Sequence, residues 1–336
     1  MSSIREVAER AGVSLGTVSN VLNRPEIVAE KTRQRVLNAI AEIGFVRNGS
    51  ARQLRAGYSQ HLGLVVLDVT NPFFTEVARG VEDAANEAGF IVILCNSDDS
   101  LEKESHYLHV LEEQRARGLL ITPVLSDASY LHRLRQRGIA VVLLDRPSHS
   151  KDMCSVAVDD VHGGELAAAH LLDQGHRHLA FVNGSLGIRQ CADRRRGVRR
   201  AVKAAGLDPD EAVHEISVPM LNAKAGESCV ETLLAAPTQP TAIFCANDIL
   251  ALGVMRGLTR RGIAIPGDVA LVGYDDVDFA SILFIPLTSV RQPKYQLGRA
   301  AAELLIDEAL NLAIHQHKQI TYQPELIVRE SSRSLR

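Results

Sequence analysis

The chain has 336 residues, long enough for more than one domain, with 37 Lys or Arg against 40 Asp or Glu. The near balance hides an asymmetry: residues 1–60 carry nine basic against five acidic side chains, net +4, and the other 276 carry 28 against 35, net −7. The front is the polyanion-binding end, and the acidic body limits indiscriminate adhesion to nucleic acid. No apolar run approaches the roughly 20 residues that span a bilayer, and the polar first residues lack the apolar middle of a secretory leader. A cytoplasmic protein with no membrane partner is expected.

Val7, Ala8 and Ala11 form a small apolar stripe at helical spacing, and Val13, Val18, Val21 and Leu22 form a second that can close against it. Gly12 supplies the turn between them, Ser14 is a good N-cap for the second helix, and Ser3 with Glu6 makes a capping box for the first, so the unit needs no leader before it. Two short helices hinged in this way have the geometry of a DNA reader. Leu15, Gly16, Thr17, Ser19 and Asn20 fall near the exposed start of the second helix, where base edges and phosphates are met. A third helix is predicted from about Glu30 to Ile43, with Val36, Leu37, Ile40 and Ile43 apolar and Gly44 ending it.

The stretch from Arg47 to Gly57 mixes linker residues with one or two helical turns around Ala51 and Leu54. Isolated helices need about 12–15 residues, so this one would order only when something packs against it. A solvated basic tether is the plainer alternative.

Residues 4–57 resemble the DNA-binding headpiece and hinge of the lac repressor (LacI/GalR) family of bacterial transcription regulators. Gly12-Val-Ser-Leu-Gly-Thr-Val-Ser-Asn-Val-Leu-Asn23 is similar to that family's recognition segment, and Asn48-x-x-Ala51-Arg52-x-Leu54 to its hinge helix. The resemblance implies DNA contacts from Ser14, Leu15, Gly16, Thr17, Ser19, Asn20, Asn23 and Thr32. It also implies contacts from Asn48, Ala51 and Leu54 in two hinge helices, one per subunit, that fold together on DNA with Leu54 wedged into the central minor-groove step. Asn20 departs from the Arg usual there; Asn suits adenine and Arg guanine, so the half-site is expected to differ at that base. Ala29 stands where a hydroxyl cap for the third helix is common, a local cost of about 1 kcal/mol.

From His61 onward, short apolar runs alternate with amphipathic stretches: Leu62–Leu67, Phe90–Leu94, Gly118–Ile121 and Ala140–Leu144, then a restart at His178–Val182 followed by Ala242–Cys245 and Val269–Val272. This βαβ repetition implies two parallel sheets covered by helices on both faces, with ligands bound beyond the strand C-terminal ends. Polar residues collect there: Asp145, Asn183 with Gly184, Asn247 with Asp248, and Asp275 with Asp276. Carboxylates, amides and a guanidinium such as Arg194 are what a polyhydroxylated ligand needs, since each hydroxyl donates and accepts. Any one of them alone reads as a helix cap or loop residue.

Asn71-Pro-Phe-Phe74, Asn247-Asp248 and Val272-Gly-Tyr-Asp-Asp276 are similar to the same family's effector-binding domain, which resembles periplasmic sugar-binding proteins. The resemblance implies that Phe73 and Phe74 line the cleft from the first half and that Asp145, Gln190, Arg194, Asn247 and Asp275 hydrogen-bond the effector. Gln292 follows at the crossover, and Leu221 falls where some relatives place a stacking ring. Ile188 and Gln190 lie in a variable part of the pocket, so effector identity does not transfer. The crossings between halves are expected near Asp159, Arg291 and Thr321, since the chain must return to the first half for a helix around Gln296 to Leu312.

Cys95, Cys154, Cys191, Cys229 and Cys245 show no Cys-x-x-Cys spacing, so reduced, mostly buried thiols are expected. His106 and His109, three apart with no third ligand nearby, do not make a metal site, and neither metal nor cofactor is expected. Gly12-Val-Ser-Leu-Gly16 satisfies the serine-hydrolase G-x-S-x-G pattern, but a helix precedes it where the elbow needs a strand. No phosphate-cradling glycine motif follows the first strand, so no enzyme is expected. A sugar receptor without DNA activity would fit residues 61–330 but not the basic front.

The fold class expected is α/β. An all-α helix-turn-helix headpiece (1–46) and a hinge helix with linker (47–60) precede a periplasmic-binding-protein-like domain of two doubly wound parallel-sheet subdomains (61–330). The first subdomain comprises 61–159 with 291–321, the second 160–290 with 322–330, and 331–336 form a tail. The function expected is a ligand-responsive repressor of carbohydrate-related genes that binds a near-palindromic double-stranded operator as a homodimer and is released by a small sugar-like effector. A corepressor-dependent regulator is the alternative. The chain ends soon after the apolar run Leu326–Val328 with no heptad extension, which favours a dimer over a tail-stitched tetramer.

Overall fold

The computed structural model describes residues 3–46, 59–125, 129–148 and 150–333. It divides the chain into two compact units, residues 1–58 and 59–336.

The described residues of the first unit form three α-helices, α1 (Ile4–Ala11), α2 (Leu15–Asn23) and α3 (Glu30–Ile43). Ser3 Oγ accepts from the Glu6 amide at 3.3 Å and donates to Glu6 Oε1 at 3.0 Å, so the Glu6 carboxylate returns to the cap's hydroxyl rather than to its backbone. Gly12 closes α1 in the left-handed region at φ 62°, which a side chain would strain, and Ser14 Oγ then opens α2 by accepting from the Thr17 amide at 3.1 Å. Val7, Ala8, Ala11, Val18, Val21, Val36 and Ala39 form the buried core. Leu37 is not part of it: it is 43 % exposed, because on α3 the inward face runs through Val36, Ala39, Ile40 and Ile43. Ala29 caps α3 with no side-chain hydrogen bond.

The second unit contains two six-stranded sheets. The first takes β1 (His61–Val66), β2 (Ile91–Asn96), β3 (Gly118–Ile121), β4 (Ala140–Leu144), β5 (Cys154–Val158) and β11 (Gln319–Tyr322), in the order β11-β5-β4-β3-β1-β2, all parallel. The second takes β6 (Leu179–Asn183), β7 (Val213–Ser217), β8 (Ala242–Cys245), β9 (Ala270–Asp275), β10 (Thr288–Arg291) and β12 (Glu325–Ile327), in the order β12-β10-β9-β8-β6-β7. Only the β12–β10 pairing is antiparallel. β3, β4 and β8 are buried along their whole length and read as unbroken apolar runs. β5, β7, β10 and β11 fall outside the runs read as strands from the sequence; β10 carries only one aliphatic residue, Val290, and β7 and β11 are edge strands whose apolar positions are interrupted by His214, Glu215, Gln319 and Thr321.

The covering helices are α4 (Pro72–Glu87), α5 (Leu101–Glu113), α6 (Asp160–Asp173), α7 (Arg189–Ala204), α8 (Ala223–Leu234), α9 (Asp248–Thr259) and α10 (Lys294–Leu310), with short helical turns at His132–Gln136, Pro209–Ala212 and Asp278–Ile282. The chain passes between sheets at Asp159, at Gln292–Pro293 and at Gln323–Pro324. Arg291 therefore ends a strand of the second sheet, and Tyr322 still belongs to the first. The expected tail also begins later than residue 331: the Ser331 hydroxyl donates to Leu271 O at 2.6 Å and accepts from the Thr288 amide at 2.8 Å, and Ser332 is buried beside Thr288.

Helices α6 and α7 meet glycine to backbone. A Cβ on Gly164 would lie 2.2 Å from Arg194 O, and one on Gly197 2.0 Å from Val161 O. Gly164→Ala is expected to force the two helices apart and destabilise the second unit by about 1–3 kcal/mol in urea denaturation. An unchanged midpoint would contradict this packing.

Candidate functional site

A cleft of about 300 Å³ opens between the two sheets. It lies where open α/β sheets bind ligands, beyond the C-terminal ends of the strands at the points where the strand order reverses, β1/β3 in one sheet and β6/β8 in the other. The first half contributes Phe73 and Phe74 from the start of α4, packed edge to face with centroids 5.0 Å apart, and Asp145 from the end of β4. Gln190, Arg194, Leu221, Asn247 and Asp275 face them from the second half. A wider and more polar groove of about 600 Å³ lies at the crossing segments, lined by Asp276, Arg291 and Lys294 with little apolar wall beyond Val277, Pro293 and Tyr295.

Arg194 is 5 % exposed and its geometry is fixed on several sides. Nε donates to Asp160 Oδ1 at 2.8 Å and Nη1 to Ala246 O at 2.6 Å, while the guanidinium carbon sits 3.7 Å from the centre of the Tyr274 ring. The Tyr274 hydroxyl donates to the same Asp160 oxygen at 2.8 Å. With Nε and Nη1 committed, Nη2 is the nitrogen left for a ligand.

Two carboxylates frame this guanidinium, both on left-handed backbone at strand ends, Asp145 at φ 54° and Asp275 at φ 102°. Backbone of that kind persists only where the surroundings over-determine it, and it clusters at ligand sites. Asp275 Oδ2 accepts from Asn71 Nδ2 at 3.2 Å and Oδ1 from Gln292 Nε2 at 2.7 Å, and Lys294 Nζ donates to the Asp275 carbonyl at 3.0 Å. Burial, opposed by Arg194, pushes the Asp275 carboxyl up to about 6. Burial also pushes Asp145 well above the ordinary carboxylate range, with the Asp160 charge adding to it. Asp145 Oδ1 is buried with no hydrogen-bond partner, which leaves an acceptor for a ligand donor.

The halves are hydrogen-bonded to each other across the cleft. Asn71 reaches from the first half to Asp275 in the second, and Gln190 Nε2 reaches back to the Asp145 carbonyl and to its Oδ2, at 2.8 and 2.9 Å.

The structure thus gathers Phe73, Phe74, Asp145, Gln190, Arg194, Leu221, Asn247 and Asp275 around one cavity. Asn247 is largely occupied there, its Oδ1 capping α9 through the Leu250 amide at 2.8 Å and its Nδ2 donating to Leu221 O at 3.2 Å. Gln292 does not line the cleft; it stands behind Asp275 and holds it. In the first unit, Leu15, Gly16, Asn20 and Asn23 are exposed, Thr17, Ser19 and Thr32 are half-buried, and Ser14 is the α2 cap. Asn48, Ala51 and Leu54 lie outside the described residues.

Residues 3–48 match the family of bacterial regulatory proteins, lacI family, and residues 168–332 match a periplasmic binding protein-like domain. The HTH-type transcriptional repressor PurR of Photobacterium profundum is 33% identical over 336 residues, with 100% of both chains covered. The chain belongs to the lac repressor family. Its fold is that of the LacI-family structures: a lac repressor dimer bound to operator and an anti-inducer superposes with a TM-score of 0.84 at 26% identity over 99% of each chain. A LacI-family regulator from Enterococcus faecium with bound ribose gives 0.75 at 29% identity over 82% of this chain and 100% of that one. A CelR–cellobiose complex gives 0.73 at 30% identity over 99% and 100%.

As a LacI-family member the protein is a DNA-binding transcriptional repressor, and the relatives named here are transcriptional repressors or regulators. No helix among the described residues is long and apolar enough to cross a membrane. Sequence reasoning passed over several cleft residues: Asn71, Thr70, Asp68, Asp98, Asp99, Met220 and Asn222. Asn71 also caps α4 through the Phe73 amide at 3.0 Å, and its position immediately before Pro72 at the end of a strand-to-helix loop was the available signal.

Because the Asp275 carboxyl titrates near 6 when folded and near 3.8 when free, the native state binds the extra proton between those values. Its contribution to stability is then present below about pH 4 and lost as pH rises through about 6. Asp275→Asn is expected to remove that slope, so the stability difference between variant and parent shifts by about 2–3 kcal/mol in the variant's favour from pH 4 to pH 7. Parallel urea titrations across that range measure it, and a pH-independent difference would refute the buried, ionisable Asp275.

Proposed function

We propose that this repressor binds a near-palindromic operator as a homodimer through two headpieces, and that a neutral, polyhydroxylated effector of the carbohydrate class occupies the cleft and releases the protein from DNA. The observation that carries the effector reading is the cleft itself, where one guanidinium nitrogen, an unpartnered carboxylate oxygen and a pair of phenyl rings converge between two halves joined across it by hydrogen bonds. Apolar rings against C–H faces with paired carboxylate and guanidinium groups for hydroxyls are the chemistry of sugar recognition. Relatives of the same fold have been solved with bound ribose and in complex with cellobiose.

Charge narrows the class. Asp68, Asp98, Asp99, Asp145 and Asp275 line the cleft against the single guanidinium of Arg194, which already has Asp160 as its counter-charge. A phosphorylated sugar or a sugar acid would meet this carboxylate surplus unfavourably, whereas a neutral sugar or polyol would not. Closure around such a ligand strengthens the bonds across the cleft and alters how the two halves of each subunit meet. The change reaches the headpiece through the connecting segment, with a coupling of about 1–3 kcal/mol, or about 5- to 150-fold in operator affinity.

Operator duplexes selected from a random pool, then titrated with neutral sugars, sugar phosphates and sugar acids, test the reading. Release by a neutral sugar supports it, tightening assigns the corepressor alternative, and indifference to every ligand overturns the switch. Arg194→Ala is expected to abolish the response, because it removes a buried ligand contact, and to lower the stability of the second unit, because Asp160 loses its counter-charge; the folded variant is expected to keep operator affinity within about 2-fold. A normal response in that variant would refute the pocket. Asn20→Arg is expected to move the selected base at one symmetric position from adenine toward guanine. An unaltered motif would remove Asn20 from the set of base contacts.

A further inference from the structure

Away from the cleft, the described residues bring metal-ligating side chains from three elements to one place. Cys154 on β5, Glu308 near the end of α10, and His315 and His317 in the loop before β11 each offer a donor atom, and these atoms lie within 4.8 Å of one another. Cys154 Sγ is 3.3 Å from His315 Nε2 and 3.6 Å from His317 Nδ1. Zinc bonds of about 2.3 Å to sulfur and about 2.0–2.1 Å to nitrogen, at the tetrahedral angle, put S and N about 3.6 Å apart, so the thiol and both imidazoles already stand at ligand spacing.

The surroundings fit the same reading. Cys154 and Glu308 are buried, and Glu308 Oε2 has no hydrogen-bond partner, an acceptor that is costly to leave unmade inside a protein. His315 Nδ1 lies 2.6 Å from Asp307 Oδ2, so that nitrogen carries the proton and Nε2 presents its lone pair toward Sγ, the carboxylate–imidazole arrangement that orients metal ligands. The Lys318 amide donates to Sγ at 3.3 Å, a contact that fixes the sulfur's position. Arg135 Nη2 is 2.9 Å from His317 Nε2 and 3.5 Å from Glu308 Oε1. An imidazole bound through Nδ1 keeps its proton on Nε2, so Arg135 has to leave the ring for the carboxylate already within its reach.

We propose that Cys154, Glu308, His315 and His317 bind a divalent cation of the zinc class in tetrahedral geometry, tying the loop after α10 to β5. Thiolate and imidazole donors select such an ion over magnesium or calcium, and four protein ligands make the site structural rather than catalytic. The thiol proton is released to solvent on binding. Cys154 is the first residue of β5, so the ion would fasten the start of that strand to the loop that leads into its neighbour β11.

The test uses full-length protein stripped with a chelator and titrated with Zn²⁺ against a chromophoric competitor, then with Co²⁺. One equivalent per chain is expected with Kd of about 10⁻⁷ M or tighter, together with a thiolate-to-cobalt charge-transfer band and tetrahedral d–d bands. Cys154→Ser should abolish the charge-transfer band. His317→Ala, on the loop where folding is least at risk, should weaken zinc by more than about 100-fold, and Asp307→Asn by about 10- to 100-fold. Cys95→Ser should leave all readouts unchanged. Absence of stoichiometric zinc, or zinc binding indifferent to both Cys154→Ser and His317→Ala, overturns the site.

Discussion

A guanidinium almost wholly removed from water persists only beside a fixed counter-charge, and the cleft is organised around that constraint. Arg194 rides on α7 and Asp160 opens α6, so their bond ties the two helices that are also pressed together at Gly164 and Gly197. Tyr274, on the central strand β9, supplies the aromatic face and shares the Asp160 oxygen. Removing either partner would leave the other charge buried and unpaired, a far larger penalty than the pair's net worth. The ligand-facing nitrogen is therefore held by the packing of the second half as a whole, not by loop residues that could rearrange independently.

The first half answers with the opposite chemistry. Phe73 and Phe74 bring apolar surface and Asp145 brings a carboxyl on left-handed backbone, while Asn71 and Gln190 link the halves directly. Each of these amides bonds a carboxylate whose ordinary acidity burial has weakened, so the linkage between the halves runs through groups that hold their protons more tightly than exposed carboxylates do. Two sheets are joined here through a few polar contacts, and the proposed effector switch requires only that a small molecule's binding energy shift how those contacts are made.

Much of this was legible in the sequence because the signals are local. Gly12 and Ser14 mark a helix end and a helix start within three residues, and aliphatic runs such as Ala140–Leu144 can be little other than doubly covered strands. Asp145 and Asp275 stood out by following such runs. What escaped was set by distance along the chain. Asp160 as the partner of Arg194, Tyr274 as its platform and Gln292 as the prop behind Asp275 are pairings that no local spacing encodes. The burial of Ser331 and Ser332 follows from hydrogen bonds to Leu271 and Thr288, again long-range. Leu37 misled because composition shows an apolar residue and not the direction in which α3 turns it. The cysteine reading sought donors close in sequence, whereas Cys154 and His315 meet only once β11 has come back to pair with β5.

That return has a consequence for biosynthesis. β11 and α10 complete the first sheet, yet they leave the ribosome after nearly all of the second half. Until then β5 is an open strand edge and the apolar face awaiting α10 is bare. The half that is translated first is thus completed only after nearly all of the second has been made, and a nascent chain of this protein must shelter an incomplete sheet while a second one folds beside it.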